Sequence, residues 1–185
     1  MKKILLVAGL AICGIFTAQK FELTPNNFVN SDDKAKDFVV IEVSGKTQKQ
    51  LFEETKMFIQ SNFKNLKGDG YNEVEYSQIK LRARSIIGTG RKMLGIESTV
   101  PFTNVYEIGF KDGKVMIKPY FEEAEKQDKY DTKIYLTGGS GVLGRSIFKK
   151  DNTVWMEELY KGVQDNTNDF VSKLTEALKS EKSDW

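Results

Sequence analysis

One stretch decides the fold, YEIGFKDGKVMIKP at residues 106–119. Within it, Asp112-Gly113 lies between two runs of β-forming residues, where a two-residue type I′ turn fits. That turn sets the register of a hairpin, in which the opposing residues are Tyr106 with Pro119, Glu107 with Lys118, Ile108 with Ile117, Gly109 with Met116, Phe110 with Val115 and Lys111 with Lys114. The apolar pairs share one face and the opposite-charge pair lies on the other, which predicts an antiparallel sheet with one buried face. Pro119 has no amide N–H and is predicted to end the second strand or to mark an edge.

Upstream of the hairpin, the sequence predicts a strand followed by a helix. Residues 37–43 are rich in β-forming side chains, and Ser44-Gly45 interrupts them. Thr47 can cap a helix that extends to about Phe63, because apolar residues recur at helical spacing along it. Residues 19–36 are rich in Asn and Asp, which predicts an irregular lead-in.

Downstream of the helix, residues 72–120 are predicted to be mostly β-structure. Ile79 and Leu81 alternate there with the basic residues Lys80, Arg82 and Arg84, so one face is apolar and the other is charged. We predict that residues 122–151 form an insertion. It consists of a charged helix or loop at 122–129, a short strand at 133–137 and a glycine-rich turn at 138–144.

The end of the chain is predicted to be helical from residue 152 to residue 179, with a break near 165–168 and a frayed tail at 180–185. Together these patterns predict one α+β domain over residues 37–179. Its antiparallel sheet has four or five strands, and the helix in the N-terminal half and the long C-terminal helix cover the apolar face of the sheet.

Residues 1–18 have the three parts of an export signal. Lys2 and Lys3 form the positive start, residues 4–16 form an apolar run, and small residues lead to predicted cleavage after Ala18. The apolar run is shorter than the roughly 20 residues that span a bilayer, so we predict no stable membrane span. Export to the periplasm or the exterior is therefore expected. A lipoprotein anchored at Cys13 is a minor alternative, because bulky Ile12 departs from the lipobox pattern.

The amino-acid composition excludes several classes of function. Cleavage of the signal takes away Lys2 and Lys3 and leaves 26 basic and 26 acidic residues, so the neutral mature chain gives no reason to expect nucleic acid as a partner. The chain has no His, and its one Cys lies in the signal. Triads and dyads that use His, and the usual zinc sites, are thereby excluded. We assign no catalytic residue, no metal site and no cofactor.

Two short motifs match known site patterns without their required context. Residues 139–144 match the G-x-G-x-x-G phosphate loop, but no strand remains downstream to complete a βαβ unit. Two Ser-x-x-Lys matches begin at Ser61 and Ser146, but the partner motifs of acyl-enzyme serines are missing. We interpret the first motif as a surface loop and the others as chance matches.

The charged residues offer two candidate sites. Lys80, Arg82 and Arg84 form a basic stripe that would suit phosphate or an acidic polymer, and these three are the candidate ligand-binding residues. Carboxylates on neighbouring strands could neutralise the stripe, namely Glu73, Glu75 and Glu107. A carboxylate-dependent enzyme such as a glycan hydrolase would instead draw on the acidic cluster, which comprises Glu122, Glu123, Glu125, Asp128 and Asp131.

The strand FVVIEV at residues 38–43, the turn SGKT and the helix that begins QKQLF resemble the opening of a group of secreted bacterial domains of unknown function. These domains are described as having a TATA-binding-protein-like (TBP-like) fold. The KDGK hairpin at 111–114 and the long closing helix fit the same resemblance. The resemblance implies the fold. It brings no known catalytic residue, and DNA binding does not follow from it.

From these observations we predict an exported, non-enzymatic module of the cell envelope that binds a small ligand or an envelope protein. The signal, the missing catalytic residue types and the polar sheet face motivate this prediction. Its alternatives are the carboxylate-dependent enzyme and a structural envelope protein for which the loop at 138–144 would be a contact site.

Overall fold

The computed structural model describes residues 20–64, 70–93, 96–126, 132–138 and 145–180. The predicted export signal with Cys13, the glycine motif at 139–144, Asp128, Asp131 and the last five residues lie outside this part of the chain. The elements in chain order are β1 (Phe21–Thr24), β2 (Asn27–Asn30), β3 (Val39–Glu42), α1 (Gln48–Asn62), β4 (Tyr71–Val74), β5 (Gln78–Met93), β6 (Ile96–Lys111), β7 (Lys114–Lys126), β8 (Thr132–Tyr135), β9 (Arg145–Ser146) and α2 (Glu157–Lys179).

The predicted α+β class is confirmed, with a sheet larger than expected. In the described part of the chain, seven strands form the main sheet in the order β4-β5-β6-β7-β8-β9, and β3 also pairs with β7. Every pairing is antiparallel except the short one between β8 and β9. The prediction of four or five strands was too low, because β9 has only two residues and the short β4 was not distinguished within the β-rich stretch at 72–120.

The central hairpin has the predicted register, but its turn is not of the predicted type I′, because Gly113 has a positive φ and Asp112 does not. Glu107 is opposite Lys118, Ile108 is opposite Ile117, and the remaining pairs agree as well. Val115 and Ile117 are fully buried, as are Ile79, Leu81 and Ile108 on the neighbouring strands. These side chains form the apolar face against which the two helices pack.

The strand β7 does not end at Pro119. It continues to Lys126, so the prediction of a solvated helix or loop from residue 122 was wrong for residues 122–126. The alternation is hidden in the sequence because the register shifts near Thr103, and Glu122 and Glu123 therefore follow each other between buried Phe121 and Ala124. Phe121 turns its backbone N–H and C=O away from β6. Pro119 lies two residues before Phe121 and so faces the same edge, where none of the described strands pairs with it and its missing N–H breaks no hydrogen bond.

The lead-in at residues 19–36 is not irregular as predicted. It contains the hairpin β1–β2, which forms a separate two-stranded sheet and buries Phe21, Leu23 and Phe28. The abundant turn-forming residues obscured two strands of only four residues each. The hairpin is attached to α2 by side-chain amides, since the Phe21 N–H donates to Asn168 Oδ1 at 2.7 Å and the Asn168 amide donates back to the Phe21 carbonyl at 3.0 Å.

Both helices lie close to their predicted positions. The Thr47 and Gln50 side chains form a reciprocal capping box at the start of α1. α2 begins at Glu157 rather than at residue 152, and it has no break at 165–168. Phe170 of α2 stacks on Tyr106 of β6 with ring centroids 4.1 Å apart. Within the described residues, neither helix combines the length and the apolar character needed to cross a membrane.

Candidate functional site

An open cleft of about 300 Å³ lies along one edge of β7. This edge pairs with β3 over residues 114–117 and with β8 over residues 124–126, and no strand among the described residues pairs with the interval between them. The cleft opens at this interval. Its lining comes from the β1–β2 turn, from β7 and from the end of β8, and comprises Pro25, Asn26, Asn27, Tyr120, Phe121, Glu122, Tyr135, Leu136 and Thr137.

The side chain of Asn27 forms one wall of the cleft. Its Oδ1 accepts from the Phe121 N–H at 2.8 Å, and its Nδ2 donates to the Phe121 carbonyl at 3.0 Å. The amide therefore makes the two hydrogen bonds that a residue of a paired strand would make. Asn27 adopts φ 87°, a left-handed conformation that Asn tolerates better than most residues. Both polar atoms of the Asn27 amide are therefore hydrogen-bonded to the backbone of β7.

Two tyrosines lie at the cleft with much of their surface in water. Tyr120 is 53% exposed and Tyr135 is 45% exposed. Their chain neighbours Phe121 and Ile134 are buried in the core, so the alternation of each strand places both tyrosines on the open face. Large aromatic side chains that stay in water beside a concave surface are typical of recognition sites.

The predicted basic stripe lies on the same open face, and each of its cations has a carboxylate partner. Arg82 Nε donates to Glu122 at 2.6 Å, and Arg84 donates to Glu125 at 3.1 Å. Lys80 Nζ is 3.7 Å from Glu107. Ligand binding by Lys80, Arg82 and Arg84 thus remains a prediction, for a stripe whose charge is compensated in the structure.

Glu73 does not neutralise the basic stripe, although the sequence predicted that it could. It lies in β4 and accepts a hydrogen bond from Lys56 of α1 at 2.8 Å and another from the Tyr71 hydroxyl. The bond from Lys56, followed by the bond from Tyr71, lowers the pKa of Glu73. Glu73 thus joins α1 to the edge of the sheet instead of neutralising the stripe.

The described members of the acidic cluster lie on β7 and bind cations of adjacent strands. Glu123 accepts from Lys133 at 2.7 Å and lies 3.8 Å from Arg82. The hydrogen bond to Glu123 raises the pKa of Lys133. Glu122 and Glu125 are held by the arginines of β5. The carboxylates thus link three strands across an exposed face, whereas a glycoside hydrolase needs two carboxyl groups placed across a substrate cleft.

The other motifs have structural roles where the structure describes them. Ser146 is buried in β9 and donates its hydroxyl to the Phe148 carbonyl at 2.7 Å. Ser61 lies in the last turn of α1 on an exposed surface. No group of three or more His, Cys, Asp or Glu side chains that could hold a metal ion occurs among residues whose positions the structure gives.

Sequence reasoning found some of the cleft residues and missed others. Glu122 was among the candidate site residues predicted from the sequence, as a member of the acidic cluster, whereas its neighbours Tyr120 and Phe121 were not. Tyr135 was missed, although the alternation of Lys133, Ile134 and Tyr135 places an aromatic side chain on the solvent face. The turn at Pro25–Asn27 carries no local signal for the site, because its position beside Phe121 depends on a contact across 94 residues.

The comparisons with known proteins identify the fold. No family model matches the chain, and no curated protein matches it significantly. A solved DUF4468 family protein from Bacteroides ovatus is similar in structure, with a TM-score of 0.54 and 11% identity over 80% of this chain and 88% of that one. A TBP-like protein from Parabacteroides distasonis has a TM-score of 0.52 and 11% identity over 75% of this chain and 90% of that one. The chain therefore shares the TBP-like α+β fold of these bacterial proteins.

Proposed function

We propose that the protein is exported and acts in the cell envelope as a non-enzymatic binding module, with the cleft between Tyr120 and Tyr135 as its ligand site. The observation that carries the proposal is the pair of half-exposed tyrosines at a cleft, on two strands of the same sheet. The backbones of both tyrosines lie in paired strands, so binding does not require this backbone to order first, which lowers the cost of association. The signal at residues 1–18 supports the location.

Binding is tested by capture from envelope extracts on immobilised protein. We expect the captured material to be lost with Tyr120→Ala and with Tyr135→Ala. Trp155→Ala is the matched control, because Trp155 is 61% exposed and is not among the residues that line the cleft. Equal capture by the tyrosine variants and the parent protein would count against the cleft. Loss of capture with Trp155→Ala alone would show that the binding surface lies at Trp155 and not at the cleft.

Export is tested on the native chain by cell fractionation and sequencing of the mature N-terminus. We expect a protein that begins at Gln19, since Ala18 is the predicted last residue of the signal. A mature chain that begins at an acylated Cys13 would instead show a lipoprotein. An uncleaved chain in the cytoplasm would contradict export altogether.

A further inference from the structure

We propose that the ligand of this cleft is an uncharged saccharide. The inference rests on the proposed function, because it names the chemical class of ligand for the same site. It draws on the charge balance of the lining, the type of its side chains and the state of the neighbouring strand edge.

The described residues that line the cleft carry no uncompensated charge. Among these described residues Glu122 is the only charged one, and Arg82 Nε lies 2.6 Å from its Oε2. The nearby Lys133 is likewise 2.7 Å from Glu123. An acidic ligand would have to compete with these carboxylates for their cations, and a basic ligand would have to compete with the cations. The charge balance therefore favours a ligand without net charge.

The side chains match the two surfaces of a sugar ring. The aromatic faces of Tyr120 and Tyr135 carry a partial negative charge, so they can pack against the apolar C–H face of the ring. The exposed amide of Asn26 and the exposed hydroxyl of Thr137 provide donors and acceptors for sugar hydroxyl groups. A volume of about 300 Å³ is at the lower end of the range of ligand sites, which suits a short saccharide or the end of a longer chain.

The edge of β7 is poorly suited to an added peptide strand. Strand addition depends on unpaired backbone N–H and C=O groups along an edge. Here Asn27 already bonds both the N–H and the C=O of Phe121, and Pro119 has no N–H to offer. A ligand at this position must therefore be recognised mainly by side chains, which favours a saccharide over an extended peptide.

The test is an NMR titration of the purified protein with uncharged oligosaccharides of glucose, galactose, mannose and N-acetylglucosamine. Oligogalacturonate and an unstructured peptide of mixed sequence serve as the acidic and the peptide probes. We expect at least one uncharged oligosaccharide to shift signals around Tyr120 and Tyr135. Tyr120→Ala or Tyr135→Ala should weaken that binding by about threefold to tenfold, the value of one aromatic contact. The matching Tyr→Phe variants should keep most of the affinity because they keep the ring.

Trp155→Ala is the control and should bind the oligosaccharide as the parent does. No shift with any uncharged oligosaccharide, or equal binding by the Tyr→Ala variants and the parent, would overturn the inference. Shifts at the two tyrosines with the peptide or with oligogalacturonate alone would show that the ligand class is wrong while the cleft still binds. Capture from envelope extracts that does not depend on the tyrosines would instead overturn the proposed function.

Discussion

At Gly162, the helix α2 lies too close to β5 for a side chain to fit between them. A Cβ atom at this position would be 2.6 Å from Cγ2 and 2.7 Å from Cδ1 of Ile87. Glycine within a helix costs about 1 kcal/mol relative to alanine, so its presence here needs a reason. The reason is the contact with Ile87, because a glycine at this position lets α2 pack closely against the Ile87 side chain of β5.

We expect Gly162→Ala to destabilise the protein despite the better helix propensity of alanine. Overpacking of this kind costs about 1–3 kcal/mol, which exceeds the gain in propensity. Urea unfolding monitored by circular dichroism measures the change. Ile87→Ala removes the clashing atoms, so the double variant should be more stable than the sum of the two single changes predicts. Additive effects would contradict the proposed contact.

Asp112 has a second role beyond its turn. Its Oδ1 accepts from the Gln48 N–H at 2.8 Å, which satisfies a free donor in the first turn of α1. Gly113 adopts φ 71° and donates its N–H to the Lys46 carbonyl at 2.9 Å. The turn that sets the register of the central hairpin thus also positions the start of α1.

At the level of elements, side-chain amides bond the hairpin β1–β2 to the rest of the molecule, in addition to the burial of its apolar side chains. Asn168 bonds the N–H and C=O of Phe21, and Gln164 accepts from the Leu23 N–H at 3.0 Å. At the other end of the hairpin, the Asn27 amide bonds both the N–H and the C=O of Phe121. The hairpin can therefore lie across α2 and the edge of β7 without joining the main sheet.

The Asn27 contact is tested by Asn27→Gly and Asn27→Ala. Glycine tolerates the φ of 87°, so it removes only the amide and leaves the buried backbone groups of Phe121 without partners. We expect a loss of about 1–3 kcal/mol from the missing hydrogen bonds. Alanine should lose about 1 kcal/mol more, because its side chain disfavours the left-handed conformation. Stability equal to that of the parent in Asn27→Gly would show that water replaces the amide without cost.

At the level of the whole molecule, ion pairs extend across the open face of the sheet. Lys118 bonds Asp37 at 2.7 Å, while Arg82 and Arg84 bond the carboxylates of β7. Such exposed pairs are each worth about 0–1 kcal/mol, so they contribute little to the free energy of folding. The same long side chains shield the central strand, where Val105 and Thr103 are buried although they lie on the open face.

Glu73 gives the molecule a predictable response to acid. Its pKa in the folded protein lies below the ordinary 4.5, because it accepts hydrogen bonds from Lys56 and Tyr71. The unfolded chain binds a proton more readily, so this stabilisation is complete above 4.5 and is lost as the pH falls through the folded pKa. Urea unfolding between neutral pH and pH about 3 should show falling stability, with a shallower decline in Glu73→Gln.

The acid decline should not disappear in Glu73→Gln. Asp33 and Asp151 also have lowered pKa values, through a hydrogen bond from Lys36 and one from Thr153 respectively. Tyr71→Phe keeps the stronger partner Lys56 and should give a slope between those of the parent and Glu73→Gln. Identical pH dependence in the parent and Glu73→Gln would contradict the assigned role of Glu73.

Local sequence patterns predict much of the architecture. The register of the central hairpin, the span of α1 and the division of β5 into buried and solvated faces follow from side chains that lie within a few residues of each other. A two-residue turn and a helical period act over that distance, so they can be detected along the chain. The charged stretch at 122–126 could not be assigned in this way because a bulge interrupts its alternation.

The cleft could not be predicted from local patterns. It exists because Asn27 meets Phe121 across 94 residues, and because Asn168 holds Phe21 across 147. Turn residues and an exposed tyrosine look ordinary along the chain, and they become a site only when packing brings them together. Short-range periodicity therefore established the sheet and its helices, whereas long-range hydrogen bonds between side-chain amides and strand edges assembled the candidate site.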